Sequence, residues 1–385
     1  MHLQLNVEED ALIDAARAFA AEHIAPHAAE WELARHVPRD VFQAAAEAGL
    51  TGILVPRDQG GKEARHVVAA RVLEELSSAC LATTFGLWVH NNALNAIARH
   101  GSGAPAESLA ASMLSGQRIG AFCLTEPDAG SDAAAITTHA SKVDGGWRIS
   151  GEKAWVSNGT HADVLVVYAQ TDASAGWRGI GTFLVDATGG GVTRTPPYEM
   201  LGGHALGLSG LRFEDCPVPD ESMLLGPGEG FKAAMDGIDK ARMFAAAMCC
   251  GILGASLSTA LSHAATRRAF GKPVLSFQGL QWQLADVATD LEAAHLLTYD
   301  AAAAFDRGET AAVAAAHAKK FASRVALNGI SQCMQAMGGA GSLMEHPPAR
   351  HLATAKLAHY MDGTTEIQNV VISRGLLKPF GLDAG

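Results

Sequence analysis

The chain has 385 residues, 48% of them apolar, and sets 29 basic against 40 acidic side chains for a net charge of −11. Such a length is too great for one ordinary core and implies more than one domain, with ample apolar material to fill each. The acidic balance, with no basic run, repels phosphate backbones and argues against nucleic acid as a partner.

The segment Met1–Asp10 holds acids at Glu8, Glu9 and Asp10 and no Lys or Arg, so it lacks the features of a signal peptide. From Glu8 to about Arg118 the sequence is Ala-rich and helical in period, punctuated at Pro26, Pro38, Pro56–Gly61 and Gly101–Gly103. Residues 1–118 therefore read as an N-terminal helical domain. Between 119 and 222 the texture changes to short apolar or alternating runs: Trp147–Ser150, Val164–Tyr168, Gly181–Val185 and Leu211–Phe213. Glycine turns at Asp144–Gly146 and Thr188–Gly191 separate them, as in an antiparallel β domain. Helical period returns over 223–385, where Leu280, Leu284, Val287, Leu291 and Ala294 place one stripe on a long helix suited to a bundle. The Ala-rich tracts 301–304 and 311–316, interleaved with Phe305, Val313 and Phe321, read as packed helix.

The order helical, β, helical argues against a doubly wound dinucleotide fold, in which strands and helices alternate. Cys80, Cys123, Cys216, Cys249, Cys250 and Cys333 show neither metal-ligand spacing nor disulfide-scaffold density, so buried thiols in a reducing compartment are expected. The sixteen histidines include no His-Glu-x-x-His, and His346, His351 and His359 read as surface or supporting residues. Every apolar stretch reads as broken short of the ~20 residues that span a bilayer. The expected location is the cytoplasm.

Three segments carry a resemblance to a known family. Phe122-Cys-Leu-Thr-Glu-Pro-Asp-Ala-Gly-Ser131, Arg267-Arg-Ala-Phe-Gly-Lys272 and Tyr360-Met-Asp-Gly-Thr-Thr-Glu-Ile-Gln368 occur in the order and spacing of the acyl-CoA dehydrogenases, over nearly the whole chain. The resemblance implies a helical domain, a β-barrel domain and a four-helix bundle, with FAD as cofactor and an acyl-CoA thioester as substrate. It also implies a homotetramer built as a dimer of dimers, and an electron-transferring flavoprotein as electron acceptor. The chemistry requires these parts: no side chain accepts a hydride readily, so a flavin must, while the protein supplies a base at the α-carbon and donors for the enolate.

By that resemblance, Phe122, Leu124, Thr125 and Ser131 contact cofactor or substrate, although Thr-Glu-Pro alone is equally a strand end and turn. Trp155 packs on the flavin and the Ser157 hydroxyl approaches its ring, although a Trp in a β domain is more often core. Arg267 reaches across a subunit interface to the pyrophosphate, with Phe270, Gln278, Gln335, Gly338 and Gly339 near the same cofactor; each glycine also suits a helix end. Thr364 and Glu366 are further FAD contacts, or helix-capping residues. Asp239, Arg242, Ser131 and Gly363 would touch the acyl-CoA, although Asp239 and Arg242 equally fit a helix-surface ion pair.

Asp362 stands where most members carry the catalytic Glu. The alternative base position, at the start of a bundle helix, is Ala241, so Asp362 is the one carboxylate left for α-proton abstraction. It reaches about 1.5 Å less than Glu, one carbon–carbon bond. Met361, where relatives often have Tyr, adds room for a branched or alicyclic acyl group. Relatives acting on cyclohexane-type thioesters are credited with an Asp base. Trp88–Asn92 offers no second acid for a 1,4-elimination. Two other readings stay open: a flavin oxidase, oxygenase or desulfinase of the same fold, or an FAD-binding member without turnover. A DNA-binding role has little support, since only Arg374 and Lys378 are basic after Gln368.

Overall fold

The computed structural model describes residues 4–382. Its N-terminal region is helical: α1 (Val7–Phe19), α2 (Ala28–Ala34), α3 (Arg39–Glu47), α4 (His66–Ser77), α5 (Leu81–His100) and α6 (Gly103–Leu114). Asn6 opens α1 with a reciprocal cap, its side chain accepting from Glu9 N while the Glu9 carboxylate accepts from Asn6 N, both at 3.0 Å. The element that matters most for the site is α5. Its buried faces include Phe85, Trp88, Val89 and Asn91, because the helix runs between the β domain and the bundle.

The middle region is one eight-stranded sheet: β1 (Gly120–Cys123), β2 (His139–Val143), β3 (Gly146–Val156), β4 (Val164–Gln170), β5 (Ile180–Asp186), β6 (Val192–Arg194), β7 (Ser209–Pro219) and β8 (Met223–Leu225). The order is β6-β7-β3-β2-β4-β5-β8, with β1 added against β4. The expected antiparallel pairing holds for β2–β3, β3–β7, β4–β5, β5–β8 and β6–β7, whereas β1 runs parallel to β4, and β2 meets β4 in parallel at His139 and Gln170. The β2–β3 hairpin and its flanking loops supply the long crossover that a parallel β1–β4 pair needs. Every residue of β4 is buried, which explains its unbroken apolar run.

Helices resume with α7 (Glu229–Thr266), then a short hairpin of β9 (Arg268–Ala269) and β10 (Lys272–Pro273). There follow α8 (Gln278–Asp306), α9 (Ala312–Met337), α10 (Pro347–Leu357) and α11 (Thr365–Leu377). In the expected stripe of α8, Leu284, Val287 and Ala294 are buried and Leu280 and Leu291 pack against the same core. The sequence reading that every apolar run is too short for a membrane is corrected by α7, whose 38 residues include a window apolar enough to cross one. That window is 72% buried within the molecule, so it is the central core helix of the bundle. All six cysteines are free and buried. Of the two alternatives expected for His351, surface or supporting, the surface one is excluded: it is buried, with its Nδ1 3.1 Å from Ser256 Oγ.

Candidate active site

A cleft of about 1220 Å³ lies where the β domain, α5, the start of α7 and the α10–α11 turn meet. Phe122, Leu124, Thr125, Ser131, Trp155, Ser157, Arg242, Asp362, Gly363 and Thr364 all line it, so residues from four distant stretches of sequence share one wall system.

The Thr-Glu-Pro segment is held from below by an ion pair. Lys153 Nζ, from β3, donates to Glu126 Oε1 at 2.8 Å and to the Leu124 carbonyl at 3.0 Å, with both side chains almost fully buried. Glu126 also accepts from Thr137 N (2.7 Å), Thr137 Oγ1 (2.8 Å) and Thr138 N (2.9 Å). Burial alone would raise its pKa, but the Lys153 charge and these donors outweigh it and hold the carboxyl at about 2. The Glu of this motif is thus the anchor that fixes Leu124 and Thr125 on the cleft wall.

Trp155, next to the last residue of β3, has a left-handed backbone (φ 57°) that turns its ring outward, 55% exposed, against Tyr198 at 4.5 Å between ring centroids. Asn158, also left-handed (φ 60°), donates to the Gly86 carbonyl at 2.9 Å and to the Gly120 carbonyl at 3.1 Å. It thereby ties the Trp155–Ser157 turn to both α5 and β1. An open aromatic face beside two wall hydroxyls is the surface a planar, polar-edged ring system needs, and these residues fit a flavin.

Asp362 sits in the turn between α10 and α11 with φ 51°, a conformation that Asp tolerates better than most side chains. Its carboxyl is buried, with Oδ2 lacking any hydrogen-bond partner, although the residue as a whole is partly exposed. Desolvation raises its pKa to about 6 against the opposing pull of the Lys319 and Arg242 charges. Arg242 Nε donates to the Asp362 carbonyl at 3.3 Å and its NH1 to Asp239 Oδ1 at 2.5 Å, so Asp239 stands behind Arg242 and does not itself line the cleft. Gln368 Nε2 donates to the Gly363 carbonyl at 2.9 Å. Thr364 caps α11 through Ile367 N at 3.4 Å. Glu366 is exposed and outside the cleft lining.

The remaining expected residues lie elsewhere. Arg267, Phe270, Gln278, Gln335, Gly338 and Gly339 are all exposed at the bundle end where α7 finishes, α8 starts and α9 finishes, and none lines the cleft. Sequence reasoning gave no role to Lys153 and did not identify Lys319, Tyr198 or Phe244. A charged residue at an inward position of a strand, or on an Ala-rich helix face, is the signal that marks the two lysines. Among the described residues, no cluster of three or more His, Cys, Asp or Glu could hold a metal ion.

Comparison with known proteins agrees with this arrangement. Models of the acyl-CoA dehydrogenase N-terminal, middle and C-terminal domains match residues 6–117, 121–216 and 228–377. The isovaleryl-CoA dehydrogenase of Oryza sativa is 35% identical over 94% of this chain and 89% of its own length. The short-chain specific acyl-CoA dehydrogenase of Mus musculus is 36% identical over the same shares. The structure of butyryl-CoA dehydrogenase from Megasphaera elsdenii superposes with a TM-score of 0.93 at 32% identity, covering 98% of this chain and all of that one. The chain belongs to the acyl-CoA dehydrogenase family of FAD-dependent oxidoreductases.

Proposed function

We propose that this enzyme α,β-dehydrogenates a short, branched or alicyclic acyl-CoA, with Asp362 as the base. The observation that carries this reading is the buried Asp362 carboxyl on the cleft wall, with an unpartnered oxygen and a pKa near 6. A base poised there is ionised at neutral pH yet still basic enough to take an α-proton in a desolvated site. Bound FAD supplies the acceptor for the β-hydride. Trp155, Thr125 and Ser157 orient the ring beside the substrate, and the Gly363 side of the turn offers a backbone N–H to the thioester oxygen, as the family resemblance implies.

Acyl size is limited by aromatic packing. Trp88 on α5 contacts Phe244 on α7 at 4.3 Å between ring centroids, and both line the cleft with Phe85 and Val89. Two large rings across the chamber leave little depth for a long chain, and the flexible Met361 beside Asp362 favours width.

The exposed group at the bundle end supports assembly. Phe270 is 94% exposed, an unusual state for an aromatic unless a second copy covers it. In this reading, Arg267, Phe270, Gln278, Gln335, Gly338 and Gly339 of one copy complete the FAD site of another within a dimer of dimers, and Thr364 and Glu366 add contacts. We further propose the division 1–118, 119–222 and 223–385, an electron-transferring flavoprotein as acceptor, and a cytoplasmic location.

Anaerobic titration of the yellow protein with straight, branched and alicyclic acyl-CoA thioesters tests the proposal. Bleaching of the oxidised flavin by short, branched or alicyclic members is expected. No bleaching by any thioester, with dithionite still able to reduce the flavin, refutes it, and rapid reoxidation by air would point instead to an oxidase or oxygenase.

A further inference from the structure

Among the buried charges that the mechanism does not use, one lies directly behind the Asp362 turn. Lys319, on α9, is 1% exposed and ranks among the largest fully buried side chains of the molecule. An ammonium there is costly unless compensated, and an apolar side chain of similar length would suit the surrounding Ala-rich face better. Its Nζ donates to the His359 carbonyl at 3.2 Å and, by a short hydrogen bond, to the Gly363 carbonyl. These two carbonyls bracket Asp362. The clamp therefore ties both ends of the turn that holds Asp362 in its left-handed conformation, with Gln368 sharing the Gly363 oxygen.

We propose that Lys319 is the positioning residue of the base, fixing the Asp362 turn through the two flanking carbonyls and supplying the buried positive charge that keeps the carboxylate available for proton abstraction. This rests on the reading that Asp362 is the base. The two backbone carbonyls take two of the ammonium's three hydrogens and leave its charge uncompensated. Among the described residues, the charged or titratable groups that face it are few: Asp362 in the turn, Arg242 and Cys249 on α7, His359 after α10, and Glu366 at the start of α11. Arg242 is already engaged with Asp239, Glu366 is exposed, and burial pushes the Cys249 thiol up to about 12, where it is neutral. Asp362 is thus the buried anion with which Lys319 interacts, and burial brings the ammonium itself down to about 8. The placement also bears on the shorter base: a side chain with less reach requires its backbone held at a fixed distance from the substrate, which a two-carbonyl clamp does.

The test is the pH profile of flavin reduction by a bleaching thioester, in wild type, Lys319→Met, Lys319→Arg and Asp362→Asn, with flavin content and melting temperature recorded for each. Lys319→Met is expected to bind FAD, to move the acid limb upward by about one pH unit or more, and to lower the rate at neutral pH at least tenfold. Lys319→Arg, which keeps the charge, is expected to leave the acid limb in place. Should neither variant fold, Lys319→Gln, a shorter neutral donor, takes their place: an acid limb moved upward is expected, and an unmoved one overturns the proposal. A folded Lys319→Met with an unmoved acid limb overturns it while leaving Asp362 as base. Full activity of Asp362→Asn would remove the underlying reading instead.

Discussion

At the scale of single residues the proposed base, Asp362, is a compromise between catalysis and stability. The Asp362 pKa lies near 6 when folded against an ordinary 3.8, so the folded state favours the protonated form. Its contribution to stability is present below pH 3.8 and is lost as pH rises through 6, a penalty on the order of 2–3 kcal/mol at pH 8. Asp362→Asn should therefore raise the melting temperature at pH 8 and change it little at pH 4, while slowing flavin reduction by ~10²–10⁴-fold. Thermal melts at the two pH values and stopped-flow bleaching check both halves; a variant destabilised at pH 8 would show that the carboxylate is held by attractions stronger than its desolvation. The same titration predicts that the wild-type rate climbs through about pH 6 and is level above it until an alkaline group intervenes.

Elements, not residues, set the walls of the cleft, and two of them carry predictions. The Glu126–Lys153 pair joins the segment after β1 to β3, and removing one partner strands the other in the interior. Glu126→Gln should cost about 3–5 kcal/mol, read as a shift in denaturant midpoint, and should loosen FAD because Leu124 and Thr125 lose their anchor. Glu126 contributes stability above the ordinary glutamate range and loses it as pH falls toward 2, so the variant should erase part of the wild-type acid sensitivity. On the opposite wall, Trp88→Ala removes one ring of the Trp88–Phe244 contact between α5 and α7. It should shift the best substrate toward longer acyl chains, seen in kcat/KM across a chain-length series; an unchanged preference would place the size limit elsewhere. Much of this was legible from sequence, because Thr125, Trp155 and Asp362 sit in contiguous motifs and the stripe of α8 follows helical period. The opposing parts were not. Lys153 and Lys319 act through partners 27 and 44 residues away in sequence, and Trp88 meets Phe244 only once α5 is inserted beside α7. The parallel β1–β4 pair and the burial of α7 likewise depend on tertiary closure, which local pattern does not encode.

For the molecule as a whole, the expected cofactor residues fall into two groups that one chain does not bring together. The cleft holds Thr125, Trp155 and Ser157, while Arg267, Gln278 and Gly338 stand exposed at the end of the bundle. One site can use both only if copies pack with the bundle end of one against the cleft of another. Trp282 gives a handle on this: it is 62% exposed and lies one helical turn from Gln278, on the same face of α8. A large exposed ring beside a proposed cofactor contact fits an interface anchor, where truncation or charge commonly costs about 2 kcal/mol or more. Trp282→Glu should therefore lower the assembly state, measured by light scattering, and strip FAD in parallel, while the melting temperature of the individual chain stays near that of wild-type apoprotein. Arg267→Gln, which removes only the charged contact, should weaken FAD retention without dissociating the copies. If Trp282→Glu gave a smaller species that kept its flavin in full, the bundle end would have no part in holding the cofactor, and the cleft of a single chain would have to supply every contact.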